Sequence, residues 1–218
     1  MKVGTDATLL GAWAEMPQTE GEPARILDIG CGSGIIAIMM AQRYQFANVV
    51  GIEIDGKAAA QATENAKASP FSGRISIFHC PLQNFDDTHG FDAIVCNPPY
   101  FSNSLKCPDQ SRTLSRHTDS LSFDELFRNA YRLLTDDGEF SLIIPTLSLH
   151  SAEEAAALAG LLPKRLCHVK TKADKPAKRT MLSYTKKPQE KVVSHEIIVN
   201  GSEYNAILRD FYFDRKPA

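Results

Sequence analysis

The sequence predicts an α/β fold: a mostly parallel sheet of seven strands, the last antiparallel, with helices on both faces. Short apolar runs alternate with segments of helical periodicity, which is typical of doubly wound sheets. A glycine-rich turn follows the first run, and Asn97-Pro98-Pro99-Tyr100 follows the fourth. Two late apolar runs flank the polar residues 173–178, which predicts a hairpin and therefore one antiparallel strand.

The predicted elements follow from these patterns and from helix start and stop signals. The predicted strands cover residues 25–29, 48–53, 74–79, 91–96, 140–144, 165–172 and 179–186. The predicted helices cover residues 7–15, 35–44, 56–67, 122–134 and 151–162, and a strand-like piece (192–199) and a short helix (204–212) end the chain. Asp55 is expected to cap the third helix, and Ser122 with Glu125 has the spacing of a capping box.

The composition indicates one globular domain over residues 1–218, with 43% hydrophobic and 23% charged residues. Within it we distinguish an N-terminal segment (1–16), a basic hairpin (164–191) and a C-terminal extension (192–218). No run approaches the roughly 18 apolar residues of a membrane span, and the N-terminus has no signal-peptide pattern. Five scattered cysteines without a C-x-x-C pair indicate reduced thiols and no zinc site. We therefore expect a cytoplasmic protein without a metal, and a monomer.

The glycine-rich turn predicts a nucleotide-type cofactor site. Asp28 lies at the end of the first strand, and Gly30, Gly32 and Gly34 follow in a G-x-G-x-G spacing before an apolar helix. Glycines allow a ligand to approach the backbone closely. A carboxylate at the strand end would repel a pyrophosphate but suits the ammonium group of a methionine moiety. We interpret the turn as a site for S-adenosylmethionine, with NAD binding and a plain tight turn as the alternatives.

Residues at the ends of the next two strands extend this site. Glu53 ends the second strand about 20 residues after the turn, where an acid can accept the ribose hydroxyls of a cofactor. Ile54 would flank the adenine, and a solvated strand end is the alternative interpretation of Glu53. No acid lies between Ser76 and Asn84, so the backbone of Leu82 or the amide of Gln83 is the candidate contact for the cofactor's amino group. His79 is expected to be a strand-end residue rather than a base.

Asn97-Pro98-Pro99-Tyr100 predicts a site for a planar nitrogen. The Asn97 side-chain oxygen and the Pro98 carbonyl can accept the two hydrogens of an amino or amide group and favour its nucleophilic form, which is electrostatic preorganisation. The Tyr100 ring offers a face for a planar base. The alternative is a strand-ending turn, because Asn-Pro also marks turns.

Two segments predict a polyanionic substrate. Residues 164–191 contain ten Lys and Arg against Asp174 and Glu190, so this segment carries +8 and the remainder −10. A strand entered through a crossover helix runs parallel to the fourth strand, which would bring Lys172, Lys175 and Lys178 to the same sheet edge as Asn97. A solvated hairpin blunted by lysines is the alternative. The long polar stretch 101–122, with Arg116 and His117, is a candidate substrate loop.

Together these features resemble a class I S-adenosylmethionine-dependent methyltransferase that acts on nitrogen. Met1-Lys2-Val3-Gly4-Thr5-Asp6, Leu9 to Trp13, and Arg116 to Phe123 further resemble the bacterial tRNA1(Val) adenine-37 N6-methyltransferase family. This resemblance implies that tRNA is the partner. It also implies that Lys2, Gly4 and Thr5 lie near the methionine end of the cofactor, and that Asn97, Pro98 and Tyr100 hold a flipped adenine. Family members usually carry a further stretch before this segment, so we expect a chain that begins at Met1 to lack part of the cover over both ligands.

Two alternatives stay open from the sequence. A protein glutamine N5-methyltransferase would use the same Asn-Pro-Pro-Tyr motif, because an amide nitrogen poses the same chemical problem as an adenine amino group. Such enzymes carry an added N-terminal helical domain, for which this chain has no room, and the basic hairpin favours RNA. The other alternative is a non-catalytic RNA-binding module on the same fold, which the intact Asn97 and glycine turn disfavour.

Overall fold

The computed structural model describes residues 4–18, 23–98 and 121–211. The strands are β1 (Arg25–Ile29), β2 (Asn48–Glu53), β3 (Ile75–His79), β4 (Phe91–Cys96), β5 (Leu134–Pro145), β6 (Leu162–Lys170), β7 (Arg179–Thr185) and β8 (Val193–Ile198). The helices are α1 (Thr5–Trp13), α2 (Ile35–Arg43), α3 (Gly56–Ala68), α4 (Phe123–Leu133), α5 (Leu149–Ala159) and α6 (Ser202–Leu208). Among the described residues, no helix is long and apolar enough to cross a membrane.

All eight strands form one sheet in the order β3-β2-β1-β4-β5-β7-β6-β8. Strands β1 to β5 are parallel, β7 is antiparallel to both β5 and β6, and β8 is parallel to β6. The predicted α/β class and the antiparallel hairpin strand are confirmed, but the described residues form eight strands instead of seven, and the last of them is parallel to its neighbour β6. The strand-like piece of the C-terminal extension joins the sheet as β8, because β6 would otherwise leave its outer backbone groups unpaired.

The central strands are buried on both faces, as a parallel sheet requires. Along β1, Ile26 packs into the core under α1, α2 and α6, whereas Leu27 packs into the core under α4 and α5. Along β4, Val95 and Cys96 divide between the same two cores. This alternation within continuous apolar runs explains why the first, second and fourth strands have the predicted bounds.

Several later elements differ from the predicted bounds, and the reasons are clear for α5 and β5. Helix α5 ends at Ala159 because Gly160 adopts a left-handed conformation (φ +83°), so Leu162 already belongs to β6. Strand β5 begins at Leu134 instead of Phe140, and its ladder with β4 shifts register near Phe91. At Gly138 a Cβ would lie 2.9 Å from the Phe91 carbonyl oxygen, so glycine permits this close approach.

The topology places the predicted functional segments together. The glycine turn, Asn97 and residues 171–178 follow the carboxyl ends of β1, β4 and β6, and Glu53 is the last residue of β2. These ends lie at one edge of the sheet, which we call the carboxyl edge, and ligands of open α/β sheets bind at such edges. The prediction that the lysine-rich turn lies at the same edge of the sheet as Asn97 is confirmed. Residues 186–192 lie at the opposite edge, the amino edge.

Candidate cofactor and substrate site at the carboxyl edge

The glycine turn has a backbone that only glycine adopts readily. Gly30, Gly32 and Gly34 have φ values of +65°, +56° and +78°. At Gly34 a Cβ would lie 3.3 Å from the Ala62 Cβ, so this glycine also lets α2 approach α3. At Gly30 a Cβ would meet no atom within 4 Å, and the residue is exposed. The turn therefore leaves open space above Gly30, as a bound cofactor would need.

Asp28 is fully buried, and one of its two carboxylate oxygens accepts a hydrogen bond. Its Oδ2 accepts a hydrogen bond of 3.0 Å from the Ala37 backbone N–H and so satisfies a donor in the first turn of α2. Its Oδ1 is buried and has no hydrogen-bond partner within the described part of the chain. Burial, together with the charge of Glu53, raises the pKa of Asp28 to about 7. A buried oxygen of this kind suits a cationic partner, and the ammonium of a methionine moiety has that charge.

Glu53 joins the end of β2 to the glycine turn. Its Oε2 accepts a hydrogen bond of 2.8 Å from the Gly32 N–H, and its Oε1 accepts one of 3.0 Å from the Asp55 N–H. Asp55 in turn caps α3 by accepting a hydrogen bond of 2.8 Å from the Ala58 N–H, as predicted. Glu53 is therefore more than a solvated strand end. Ile54 beside it is 61% exposed, which leaves an apolar surface for a ring.

The link after β3 offers main-chain groups instead of a carboxylate. The Leu82 side chain is buried in the core, so only its backbone remains for a ligand. The Gln83 amide points to helix α4, where its Nε2 lies 3.4 Å from Glu125 Oε1. The His79 Nε2 lies 3.1 Å from the Ile54 carbonyl oxygen, and its ring would contact a Cβ at Gly56. The prediction of His79 as a strand-end residue is confirmed.

Asn97 and Pro98 follow β4 directly beside the glycine turn. Asn97 is half-buried and Pro98 is buried. Cys96 pairs with Ile29 on the neighbouring parallel strand, so Gly30 and Asn97 are the next residues on adjacent strands. The sheet thus brings the predicted cofactor turn and the predicted nitrogen site into contact range. Pro99, Tyr100, Lys2, Arg116 and His117 lie outside the described residues.

The basic hairpin is less open to a polyanion than its sequence suggests. Of its ten basic residues, seven have a carboxylate within 4 Å: Lys164, Arg165, Lys170, Lys175, Arg179, Lys186 and Lys187. Lys164 and Arg165, for example, both bind the buried Glu139, at 2.7 and 2.6 Å. At the turn, Lys172 and Lys178 are exposed and have no carboxylate within that distance in the described ranges. Among the described residues of the carboxyl edge, these two lysines are therefore the ones of the hairpin turn whose charge has no neighbouring carboxylate.

An ion pair joins the N-terminal segment to the basic hairpin. The Asp6 carboxylate in the first turn of α1 accepts a hydrogen bond of 2.8 Å from Arg179 Nε at the start of β7. Gly4 and Thr5, at the start of α1, are exposed beside it. No local pattern in the sequence could show this contact, because 173 residues separate the two side chains.

In the described ranges, no three His, Cys, Asp or Glu side chains lie close enough together to bind a metal ion. The four cysteines that the structure describes are free thiols. Burial raises the pKa of Cys96, which precedes Asn97, well above its ordinary value. Its buried neutral thiol is poorly suited to act as a nucleophile.

Comparison with known proteins connects this geometry to a family. The profile of the methyltransferase small domain matches residues 12–159. A tRNA1(Val) (adenine(37)-N6)-methyltransferase of Bacteroides fragilis is 42% identical over 97% of this chain and 91% of its own length. A protein of the same name from Vibrio parahaemolyticus is 37% identical over 97% of this chain and 89% of its own length.

Solved structures show the same fold at low sequence identity. A predicted O-methyltransferase from Agrobacterium tumefaciens superposes with a TM-score of 0.70 at 19% identity, covering 91% of this chain and 89% of the other. A putative RNA methyltransferase from Pyrococcus horikoshii has a TM-score of 0.57 at 17% identity, covering 76% and 75%. At these identities the likeness concerns the fold alone.

Proposed function

The chain belongs to the methyltransferase small domain family and to the family of tRNA1(Val) (adenine(37)-N6)-methyltransferases, and on that premise we propose that it methylates the N6 amino group of adenine 37 in tRNA1(Val). The relatives match over nearly their whole length, so the match includes the cofactor turn, the Asn97 motif and the basic hairpin.

S-adenosylmethionine is the methyl donor, and it supplies an electrophilic methyl group. The residues at the carboxyl edge fit this group. Asp28 Oδ1 is a buried acceptor that would bind the ammonium, and the open surface of Gly30 admits a ligand close to the backbone. Glu53 Oε2 would give up its hydrogen bond from the Gly32 N–H and accept hydrogen bonds from the ribose hydroxyls instead. Ile54 would cover one face of the adenine ring.

Asn97 and Pro98 prepare the attacking nitrogen. The lone pair of an adenine amino group is delocalised into its ring, which makes the nitrogen planar and weakly nucleophilic. The Asn97 amide oxygen and the Pro98 carbonyl would accept its two hydrogens and favour the pyramidal form. No residue has to remove a proton before the methyl group is transferred, and the excess proton leaves the nitrogen afterwards. The Tyr100 ring is proposed to hold the base by stacking.

The tRNA reaches this site with its target base out of the stack, which is a general requirement for chemistry on a base. Loop bases are already partly unstacked, so the cost is modest. Lys172 and Lys178, with Lys175 between them, would contact the phosphate backbone beside the anticodon loop. Arg116 and His117 remain proposed RNA contacts by resemblance. The monomeric state and the cytoplasmic location expected from the sequence stay predictions.

One observation carries the proposal: β1 and β4 are adjacent, and their register sets the cofactor turn beside Asn97. The test is to incubate the protein with unmodified tRNA1(Val) transcript and S-adenosylmethionine, digest the RNA, and detect N6-methyladenosine by mass spectrometry. A transcript with guanine at position 37 is the matched control and should remain unmodified.

Two results would contradict the proposal. Methylation of a release-factor glutamine, with no N6-methyladenosine in tRNA, would identify a protein glutamine methyltransferase instead. A protein that binds tRNA but not labelled S-adenosylmethionine would be a non-catalytic RNA-binding module.

A further inference from the structure

Leu147 presents a bare aliphatic side chain at the carboxyl edge. The side chain is 100% exposed and belongs to the short 3-10 turn Thr146–Ser148, which directly follows β5. In the sheet, β5 lies between β4, whose end leads into Asn97, and β7, which follows the lysine-rich turn. Leu147 therefore lies between the proposed adenine site and the proposed phosphate contacts.

The backbone around Leu147 is held on several sides. The Thr146 N–H donates a hydrogen bond of 3.2 Å to the Lys178 carbonyl oxygen, and the Leu149 N–H donates one to the Thr146 carbonyl oxygen. The Thr146 hydroxyl lies 3.0 Å from the hydroxyl of Thr180, which is fully buried in β7. Leu147 is thus an exposed side chain on an ordered turn. Binding of a ligand to it would not incur the entropic cost of ordering this segment.

Extrusion of a base creates a partner for such a side chain. When an adenine leaves the stack of an RNA loop, the neighbouring base loses the surface on which it was packed. An inserted apolar side chain restores part of that contact, as wedges do in nucleic-acid complexes that unstack bases. We propose that Leu147 packs against the base next to the flipped adenine, in the gap that the adenine leaves. This inference rests on the proposed function and makes Leu147 a positioning residue for the base.

The chemistry of leucine separates this role from that of the lysines. A leucine neutralises no phosphate, so its removal should leave the salt dependence of tRNA binding unchanged. Its contact forms only when the adenine is extruded, so its removal should reduce extrusion and turnover more than binding. Because the side chain is fully exposed, Leu147→Ala leaves no cavity in the core, and folding should be unaffected.

The test uses full-length tRNA1(Val), ligated from two synthetic halves, with 2-aminopurine in place of adenine 37. The fluorescence of this base rises when it leaves the stack. We expect Leu147→Ala to reduce the fluorescence gain on binding, and to lower kcat/KM on the unsubstituted tRNA about tenfold, the scale set by loss of one base contact. Leu147→Met should retain most of both signals. Leu158→Ala is the matched control, because Leu158 is 85% exposed but lies on α5.

The outcomes separate this inference from the proposed function. If Leu147→Ala matches the wild type in fluorescence gain and in kcat/KM, Leu147 has no wedge role while the methyltransferase function stands. If its loss appears equally in Leu158→Ala, a general surface effect replaces the inference. If the wild-type protein neither methylates tRNA nor extrudes the base, the proposed function fails, and this inference fails with it.

Discussion

The Asp6 carboxylate and the Arg179 guanidinium form an ion pair of 2.8 Å that joins the start of α1 to the start of β7. The two side chains are only 20% and 28% exposed. The pair therefore connects the N-terminal segment, proposed to lie near the cofactor, with the strand that follows the proposed phosphate contacts. It fixes the relative position of two regions that are far apart in the sequence.

We expect this ion pair to stabilise the fold by about 1 kcal/mol, because partial burial shields it from solvent more than a surface pair. A double-mutant cycle of Asp6→Asn and Arg179→Gln, measured by urea unfolding, isolates the pairwise contribution from the other contacts of both residues. The exposed pair of Lys187 and Asp137 at the amino edge provides the control cycle and should show a coupling energy near zero. Equal coupling energies in both cycles would mean that partial burial of the Asp6–Arg179 pair adds nothing to its contribution to stability.

Asn97→Ala should lower kcat by about 100-fold or more, which is the usual effect of removing one preorganised polar group from a reacting centre. Binding of S-adenosylhomocysteine should be unchanged, because Asn97 follows the adjacent strand β4 and does not belong to the cofactor turn. Methylation kinetics and titration calorimetry measure the two effects separately. The control is Asn205→Ala, on the distant helix α6. Equal loss of binding and turnover in Asn97→Ala would indicate a structural role for this residue.

Charge reversal of Lys172 and Lys178 together should weaken tRNA binding and flatten its dependence on salt. Each lysine that contacts a phosphate contributes about 0.7 to 0.9 to the slope of log K against log salt concentration. Both lysines lie exposed at the carboxyl edge. Binding should be measured by filter retention over a range of salt concentrations.

The matched variant for this experiment reverses Lys187 and Lys191, which changes the net charge equally but at the amino edge. We expect it to retain nearly the wild-type slope. If both double variants weaken binding alike, the tRNA responds to overall charge and not to the lysine-rich turn. Reversal of Lys175 alone should have a smaller effect, because its ammonium lies 3.8 Å from the Asp174 carboxylate.

The buried Asp28 should make the stability of the ligand-free protein depend on pH. In the unfolded chain this carboxyl loses its proton near its ordinary pKa of 3.8, whereas in the folded protein burial holds the proton until about pH 7. Between these values the folded state binds more protons, so this group makes the free energy of unfolding fall as the pH rises. Above about pH 7 the loss is complete.

Asp28→Asn cannot ionise and should remove this loss, so its melting temperature should gain on the wild type between about pH 5 and about pH 8. Thermal unfolding at both pH values tests this, with Glu64→Gln on an exposed site of α3 as the control. A pH-independent difference between Asp28→Asn and wild type would show that the buried carboxyl does not titrate in this range. Cofactor binding should weaken in the same variant, because the neutral amide offers the ammonium no charge.

Several features could be predicted from the sequence because their causes are local. The bounds of β1, β2 and β4 follow from continuous apolar runs, and the caps at Asp55 and Ser122 follow from polar side chains three residues from the N–H groups they bind. The position of the lysine-rich turn followed from the direction of the strand before it, because a strand entered through a crossover helix runs parallel to the preceding strand.

Other features were missed because their causes are not local. The positive charge that the hairpin offers to a polyanion was overestimated, because Glu139 and Asp6, which form ion pairs with its basic residues, lie outside the segment in sequence. The eighth strand was missed as a sheet member, since only the exposed edge of β6 makes its pairing favourable. For Asp28, the sequence predicted a charged cofactor contact. It could not show that Oδ2 accepts a hydrogen bond from α2 while Oδ1 has no partner among the described residues.

The sequence by itself determined the order of the elements, the glycine turn and the Asn97 motif, because backbone sterics and periodic burial act over a few neighbouring residues. The tertiary structure alone decided which carboxylates compensate which lysines, which oxygen of Asp28 has no partner among the described residues, and that Leu147 lies between the proposed adenine site and the lysine-rich turn. These relationships depend on distances between residues that are remote in sequence, and only the packed sheet sets those distances.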